Sequence, residues 1–219
     1  MNIAIDGPAG AGKSSVAKAI AKTLRMVYVD TGAMYRAVAF AANERGIDMQ
    51  DEVALLDMIA DLDISLSYDE EQGQHIVLQG QDVTDIIRSD RISQMASRIS
   101  VHDGVRRAMV RIQQEMAERQ DVVMDGRDIG TVVLPNAAYK FFITADAAER
   151  AKRRMNEWNE KGMSVSQSLE EVKRGIEERD YIDSHRAVSP LKQAEDAILI
   201  DTSRMELDEV IRAVLRHIK

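Results

Sequence analysis

Gly7-Pro8-Ala9-Gly10-Ala11-Gly12-Lys13-Ser14 fits G-x-x-x-x-G-K-[ST] at every fixed position. Just before it, Asn2 to Ile5 is a short apolar run closed by Asp6. Just after it, Val16, Ala17, Ile20, Ala21 and Leu24 recur at three- and four-residue steps, the spacing of one helix face. Strand, glycine-rich turn and helix N-terminus therefore follow in the order that a phosphate cradle requires. Glycines let successive N–H groups turn inward on a polyphosphate without side-chain clash. The helix adds its unpaired N–H groups and the positive end of its dipole. Residues 7–15, through Ser15, form the expected nucleotide-binding loop. Lys13 is expected at the β/γ-phosphates and the Ser14 hydroxyl on Mg²⁺, partly through water.

The chain has 219 residues, 45% of them apolar and 30% charged, which suits one α/β domain with a small insert. Its net charge of −8 argues against a nucleic-acid polymer as partner, because phosphate-tracking proteins are usually basic. Cysteine is absent, which excludes disulfides, thiolate metal sites and cysteine nucleophiles. The first strand begins at the N-terminus, so no signal peptide is expected. No apolar run is long enough to span a bilayer. These features predict a soluble, cytoplasmic protein. A monomer is expected because no apolar stripe is left unassigned.

Outward from the loop, Met26 to Val29 reads as a second strand ending at Asp30, and Thr31 as the cap of the next helix. Asp51 to Leu62 is amphipathic. Ile64, Leu66 and Tyr68 then alternate with polar residues, Gly73 turns the chain, and His75 to Leu78 continues in strand style. This β-rich piece interrupts the βα alternation. Helical spacing resumes from Asp85, breaks near His102 to Gly104, and ends around Gln120. Val122 to Met124, Tyr139 to Ile143 and Ala197 to Ile200 are three further strands, and Leu207 to Ile218 is the closing helix. Residues 147–188 read as almost wholly helical, with Ser168 and Glu171 as a capping box. The fold class is α/β: a five-stranded parallel sheet of the phosphate-loop type with helices on both faces, a small β-rich insert and a helical lid. The core is expected over 1–62, 105–146 and 189–219, the insert over 63–104 and the lid over 147–188. Ligands in such sheets bind beyond the carboxyl ends of the strands.

Charged residues at those ends are the candidates for chemistry. Arg36 follows the second strand with Tyr35; an arginine there can clamp a phosphate bidentately or stay a solvated side chain. Asp125-Gly126-Arg127-Asp128-Ile129-Gly130-Thr131 sits directly after an apolar strand, with Asp125 where an acidic residue supports Mg²⁺. In the lid, Arg150 and Arg154 lie four residues apart, with Arg153 nearby. Arg179, Asp183 and Arg186 share a helix face at spacings 0, 4 and 7. Surface ion pairs account for the lysines. The arginines suit a lid that closes over phosphates and excludes water. His75, His102, His185 and His217 make no metal-ligand spacing.

Taken together, Ile5 to Lys13, Asp30-Thr31-Gly32-Ala33-Met34-Tyr35-Arg36, Asp125 to Thr131 and Arg186-Ala187-Val188-Ser189-Pro190-Leu191 resemble the bacterial cytidylate kinases over essentially the whole chain. The resemblance implies a nucleoside monophosphate kinase of pyrimidine metabolism that takes ATP and CMP or dCMP to ADP and CDP or dCDP. It implies that Arg36, Arg127 and Arg186 hold the CMP phosphate and that Arg179 and Asp183 face the sugar hydroxyls. Ser97, Arg106 and Asp128 match positions that read cytosine, and Thr31 and Tyr35 line the same pocket. Thr31 departs mildly from members that carry Ser there. Lys13, Arg127, Arg150 and Arg154 are the expected catalytic residues.

The chemistry is consistent with that reading. Cytosine offers an N4 donor beside N3 and O2 acceptors, complementary to an Asp or Ser acceptor with an Arg donor; uracil reverses the pattern at position 4 and N3. The phosphate nucleophile is already anionic, so no strong general base is needed, and catalysis is positioning plus charge stabilisation. Uridylate, adenylate and shikimate kinases share the loop and lid logic. A switch-type GTPase needs a Lys-x-Asp guanine signature, and no Lys here is followed two residues later by Asp.

Overall fold

Short apolar strands alternating with amphipathic helices fold into a parallel sheet whose central strands are buried on both faces. In the computed structural model, which describes residues 1–69, 73–160, 162 and 167–218, the elements run in chain order as follows. They are β1 (Asn2–Asp6), α1 (Lys13–Leu24), β2 (Val27–Asp30), α2 (Thr31–Glu44), α3 (Glu52–Ala60), β3 (Ile64–Asp69), β4 (Gly73–Leu78) and β5 (Gln81–Asp82). A 3-10 turn (Ile86–Arg88), α4 (Asp90–Ile99), α5 (Asp103–Arg119), β6 (Val122–Gly126) and a π-helical turn (Ile129–Val133) follow. The chain closes with β7 (Tyr139–Thr144), α6 (Ala147–Glu160), α7 (Leu169–His185), β8 (Ile198–Asp201) and α8 (Leu207–Leu215). The five-stranded sheet has the order β2-β6-β1-β7-β8, and β3-β4-β5 form a separate three-stranded sheet.

The chain divides into two compact units, residues 1–27 with 122–219, and residues 28–121. In the first unit β1 is central, parallel to β6 (Ile3 opposite Val123) and to β7 (Ile3 opposite Tyr139). Ile3, Ile5, Val123, Met124 and Ile143 are fully buried, each stabilising by roughly 1.5–3 kcal/mol for a full-sized aliphatic side chain. Val16, Ala17 and Ile20 form the inward face of α1. The helices α6 and α7 pack on each other through Ala151, Val172 and Ile176, with Met155 and Trp158 at the margin.

The second unit holds α2, whose small buried residues Ala37, Ala41 and Ala42 allow close packing. Its antiparallel β3–β4 ladder sets Ile64 opposite Leu78 and Leu66 opposite Ile76. Gly73 opens β4 instead of turning the chain, and the link at 70–72 lies outside the described residues. Gln79 and Gly80, both at positive φ, turn the chain from β4 into β5.

One local reading changes. Asp30, not Thr31, caps α2: its extended backbone lets Oδ1 accept the Ala33 N–H at 2.8 Å, and Thr31 becomes the first helical residue. Residues 147–188, expected to be almost wholly helical, form α6 and α7 with extended backbone at Arg186; positions 161 and 163–166 lie outside the described residues. The Ser168–Glu171 capping box forms in both directions.

One loop glycine is set by packing. Gly7 has φ 145°, and a Cβ there would run into the Ile143 carbonyl. Gly7→Ala should lower unfolding free energy by roughly 2–4 kcal/mol in urea titration. A loss within about 0.5 kcal/mol, the size of an ordinary surface change, would mean that the loop can step away from β7.

Candidate active site

In the first unit the loop leaves β1 at Asp6 and enters α1 through Gly12, whose left-handed backbone (φ 89°) occupies the cap position. Lys13 is the first helical residue and is only 5% exposed; its ammonium donates to the Pro8 carbonyl at 2.8 Å, folding the side chain back over the loop. Burial, then the charge of Arg127, pushes the Lys13 ammonium down to about 7, while Asp125, Asp6 and Asp183 oppose the shift. The Ser14 hydroxyl donates to Asp125 Oδ2 at 2.9 Å, so a hydroxyl and a carboxylate at the ends of α1 and β6 lie side by side. Both are hard oxygen donors, the set that Mg²⁺ prefers.

The loop is braced from α6. Arg150, buried, donates to the Ala145 carbonyl at 2.8 Å and to the Ala9 carbonyl at 3.0 Å, and pairs with Asp180 of α7 at 2.6 Å. Arg153 donates to the Thr202 carbonyl at 2.6 Å, and Thr202 Oγ1 lies 3.4 Å from the Ala11 carbonyl. Arg154 lies over the Trp158 ring, 5.9 Å from its centroid. Of the expected lid arginines, Arg150 is thus committed to main chain and an aspartate, and Arg154 lies along the helix surface.

A second cluster in the same unit gathers the predicted acceptor residues. Arg127 donates through Nε to Asp183 Oδ2 at 2.9 Å. Arg186 lies 3.6 Å from Asp128 and 3.9 Å from Asp183, and donates to the Ser189 carbonyl. Burial alone would raise the Asp183 carboxyl, but Arg127, Arg179 and Arg186 together outweigh it and hold the carboxyl below its ordinary range. Arg127, Arg179 and Arg186 outnumber Asp128 and Asp183, leaving the cluster with positive charge for an anion.

The second unit carries the remaining predicted residues. Arg36 pairs with Asp30 at 3.2 Å, and its Nε is buried with no hydrogen-bond partner among the described residues. Gln74 of β4 steadies Asp30: its amide donates to the Tyr28 carbonyl at 2.5 Å, and its oxygen accepts the Asp30 N–H at 3.3 Å. Arg106 is 2% exposed, lies over the Tyr35 ring at 5.7 Å, and donates to the Ser100 carbonyl at 3.3 Å. The Ser100 hydroxyl in turn donates to the Ser97 carbonyl, which links Ser97 to Arg106. Thr31 is buried at the start of the same helix as Tyr35.

Sequence reasoning missed Asp6, Asp30, Gln74, Asp180 and Thr202 as supports. Only Asp6 and Asp30 carried a signal, each a charge closing an apolar strand.

Comparison with known proteins identifies the family. A family model described as cytidylate kinase matches residues 3–219. The chain is 50% identical over 217 residues to a cytidylate kinase of Desulforamulus reducens, covering 99% of this chain and 96% of that protein. It is 47% identical over 219 residues to a cytidylate kinase of Halalkalibacterium halodurans, covering 100% and 97%. In fold alone it is similar to a shikimate kinase of Bacteroides thetaiotaomicron, with TM-score 0.50, 12% identity and coverage of 99% and 97%. With its phosphate loop, arginine cluster and near-full-length matches, the chain belongs to the cytidylate kinase family.

Proposed function

We infer that the protein transfers the γ-phosphoryl group of ATP to CMP or dCMP, giving ADP and CDP or dCDP. The observation that carries this is the family match over residues 3–219. The gathering of a phosphate loop and an arginine cluster in one unit supports it. Residues 7–15 hold the triphosphate, with Lys13 at the β/γ-phosphates. Arg36, Arg127 and Arg186 grip the acceptor phosphate, and Arg179 and Asp183 meet the sugar hydroxyls. Ser97, Arg106 and Asp128 read cytosine beside Thr31 and Tyr35.

The Ser14–Asp125 oxygen pair fits Mg²⁺. Bound there with ATP, the ion would offset the charge shared by the β- and γ-phosphates. The protein's own work is alignment. The arginine clamp sets an acceptor oxygen in line with the γ-phosphorus, and already ionised oxygen needs no base. Residues 147–188 act as a lid that keeps water from the transferred group. Arg154 is its arginine for the developing charge, and Arg150 acts through the Ala9 carbonyl. Residues 63–104 serve as the acceptor-binding insert on a core of 1–62, 105–146 and 189–219. The protein works as a cytoplasmic monomer.

Initial rates with CMP, dCMP, UMP, AMP and shikimate test the assignment. CMP or dCMP should lead UMP by about 100-fold or more in kcat/KM, since a reversed hydrogen-bond edge leaves buried groups unpaired. Preference for another acceptor would overturn the reading. Arg127→Ala should lower kcat/KM by on the order of 10²-fold; an unchanged value removes it from the clamp. Because the free Lys13 ammonium sits at about 7 and a polyphosphate favours its charged form, ATP binding at pH 8 should take up a proton. Calorimetry in buffers of different ionisation enthalpy reads this directly. A proton number of zero would separate Lys13 from the triphosphate.

A further inference from the structure

We propose that Asp6 is a positioning residue for the acceptor nucleotide, because its carboxylate caps the turn that directly follows Arg127 and Asp128. The proposal rests on the functional reading above and adds to it a residue on the ATP side of the sheet that governs the acceptor side.

A helical turn begins with N–H groups that have no partner within it. At Ile129–Val133 the residue in the cap position is Asp128, yet its side chain makes no capping hydrogen bond. That carboxylate lies 3.6 Å from Arg186 instead. The capping is done from a distant part of the chain: Asp6 Oδ1 accepts the Ile129 N–H at 2.8 Å, and Oδ2 accepts the Gly130 N–H at 2.7 Å. Asp6 is 4% exposed, so each of those amides would otherwise be buried and unsatisfied.

The anchor is rigid. Asp6 closes β1, where its backbone stands opposite Gly126 of β6 and Phe142 of β7. Gly130 leaves room for the contact: a Cβ there would lie 3.3 Å from Asp6 Oδ2 and 3.2 Å from the Lys140 stem. Burial pushes the Asp6 carboxyl up to about 6, against the pull of the Gly130 and Ile129 amides and of Lys13; Asp128 adds to the rise. A buried carboxylate is a costly cap where Asp128 could serve locally. Using Asp6 leaves the Asp128 carboxylate to face Arg186 and the base. Without Asp6, Asp128, which already occupies the cap position, would be drawn to the two amides and away from the acceptor site.

Asp6→Asn tests this, since Asn keeps the shape but can accept only one amide through Oδ1 and turns Nδ2–H toward the other. Gly130→Ala is the second variant, pressing the same contact apart without altering Asp6. Both are compared with wild type in steady-state kinetics and in amide hydrogen exchange of the free protein. The KM for CMP should rise about 10-fold or more while the KM for ATP stays within about twofold. The preference for CMP over UMP should shrink by about 10-fold, because Asp128 is displaced. Ile129 and Gly130 should exchange faster. Exchange at wild-type rates, or equal rises in both KM values, would overturn the proposal. A wild type inactive on CMP would overturn the functional reading instead, and the exchange measurement would still decide whether Asp6 anchors the turn.

Discussion

Charge buried at the carboxyl edge of the sheet is the constraint on which the first unit depends. Lys13, Asp6, Asp125, Asp128, Arg150 and Asp183 are each less than a tenth exposed. An ionised group in such a place is tolerated only with a partner and satisfied hydrogen bonds. Each therefore has a specific holder: Pro8 for Lys13, two amides for Asp6, Ser14 for Asp125, Arg186 for Asp128, Asp180 for Arg150 and Arg127 for Asp183. The result is a set of charges held in place before any phosphate arrives. That is the arrangement electrostatic catalysis needs, because dipoles already oriented pay no reorganisation cost during the reaction.

The same economy appears in the second unit. Asp30 caps α2 with one carboxylate oxygen and holds Arg36 with the other. Gln74, from the small antiparallel sheet, brackets Asp30 from the other side. The small antiparallel sheet thereby bears on Arg36 through Asp30. Arg106 lies over the Tyr35 ring, each side chain limiting the other's rotamers.

In α6 and α7 the apolar contact of Ala151, Val172 and Ile176 joins the helices along one face, and Arg150 with Asp180 joins them beside the loop. Because Arg150 also holds the Ala9 carbonyl, a shift of α7 is felt in the main chain of the phosphate loop. Helices joined this way do not move independently of the loop that α6 braces.

Much of the fold was legible before any coordinates. The strands read as apolar runs because the central β1 and β6 are buried on both faces, and the loop after β1 has a residue pattern that few other structures require. Local competition was less legible. Asp30 and Thr31 are both good caps, and only the extended backbone of Asp30 put its carboxylate on the Ala33 N–H. The candidate arginines were found because charges after apolar strands are conspicuous, but their partners were not.

By itself the sequence determined the strand–loop–helix order, the parallel sheet and the residue types gathered at its edge, since spacing dictates which face a side chain occupies. Only the tertiary structure decided which side chain holds which. Asp6 caps a turn beginning at Ile129, Arg150 reaches back to Ala9, and Gln74 answers to Asp30. Such pairings depend on segments far apart in the chain arriving at one place, and a buried polar atom takes whichever partner arrives there.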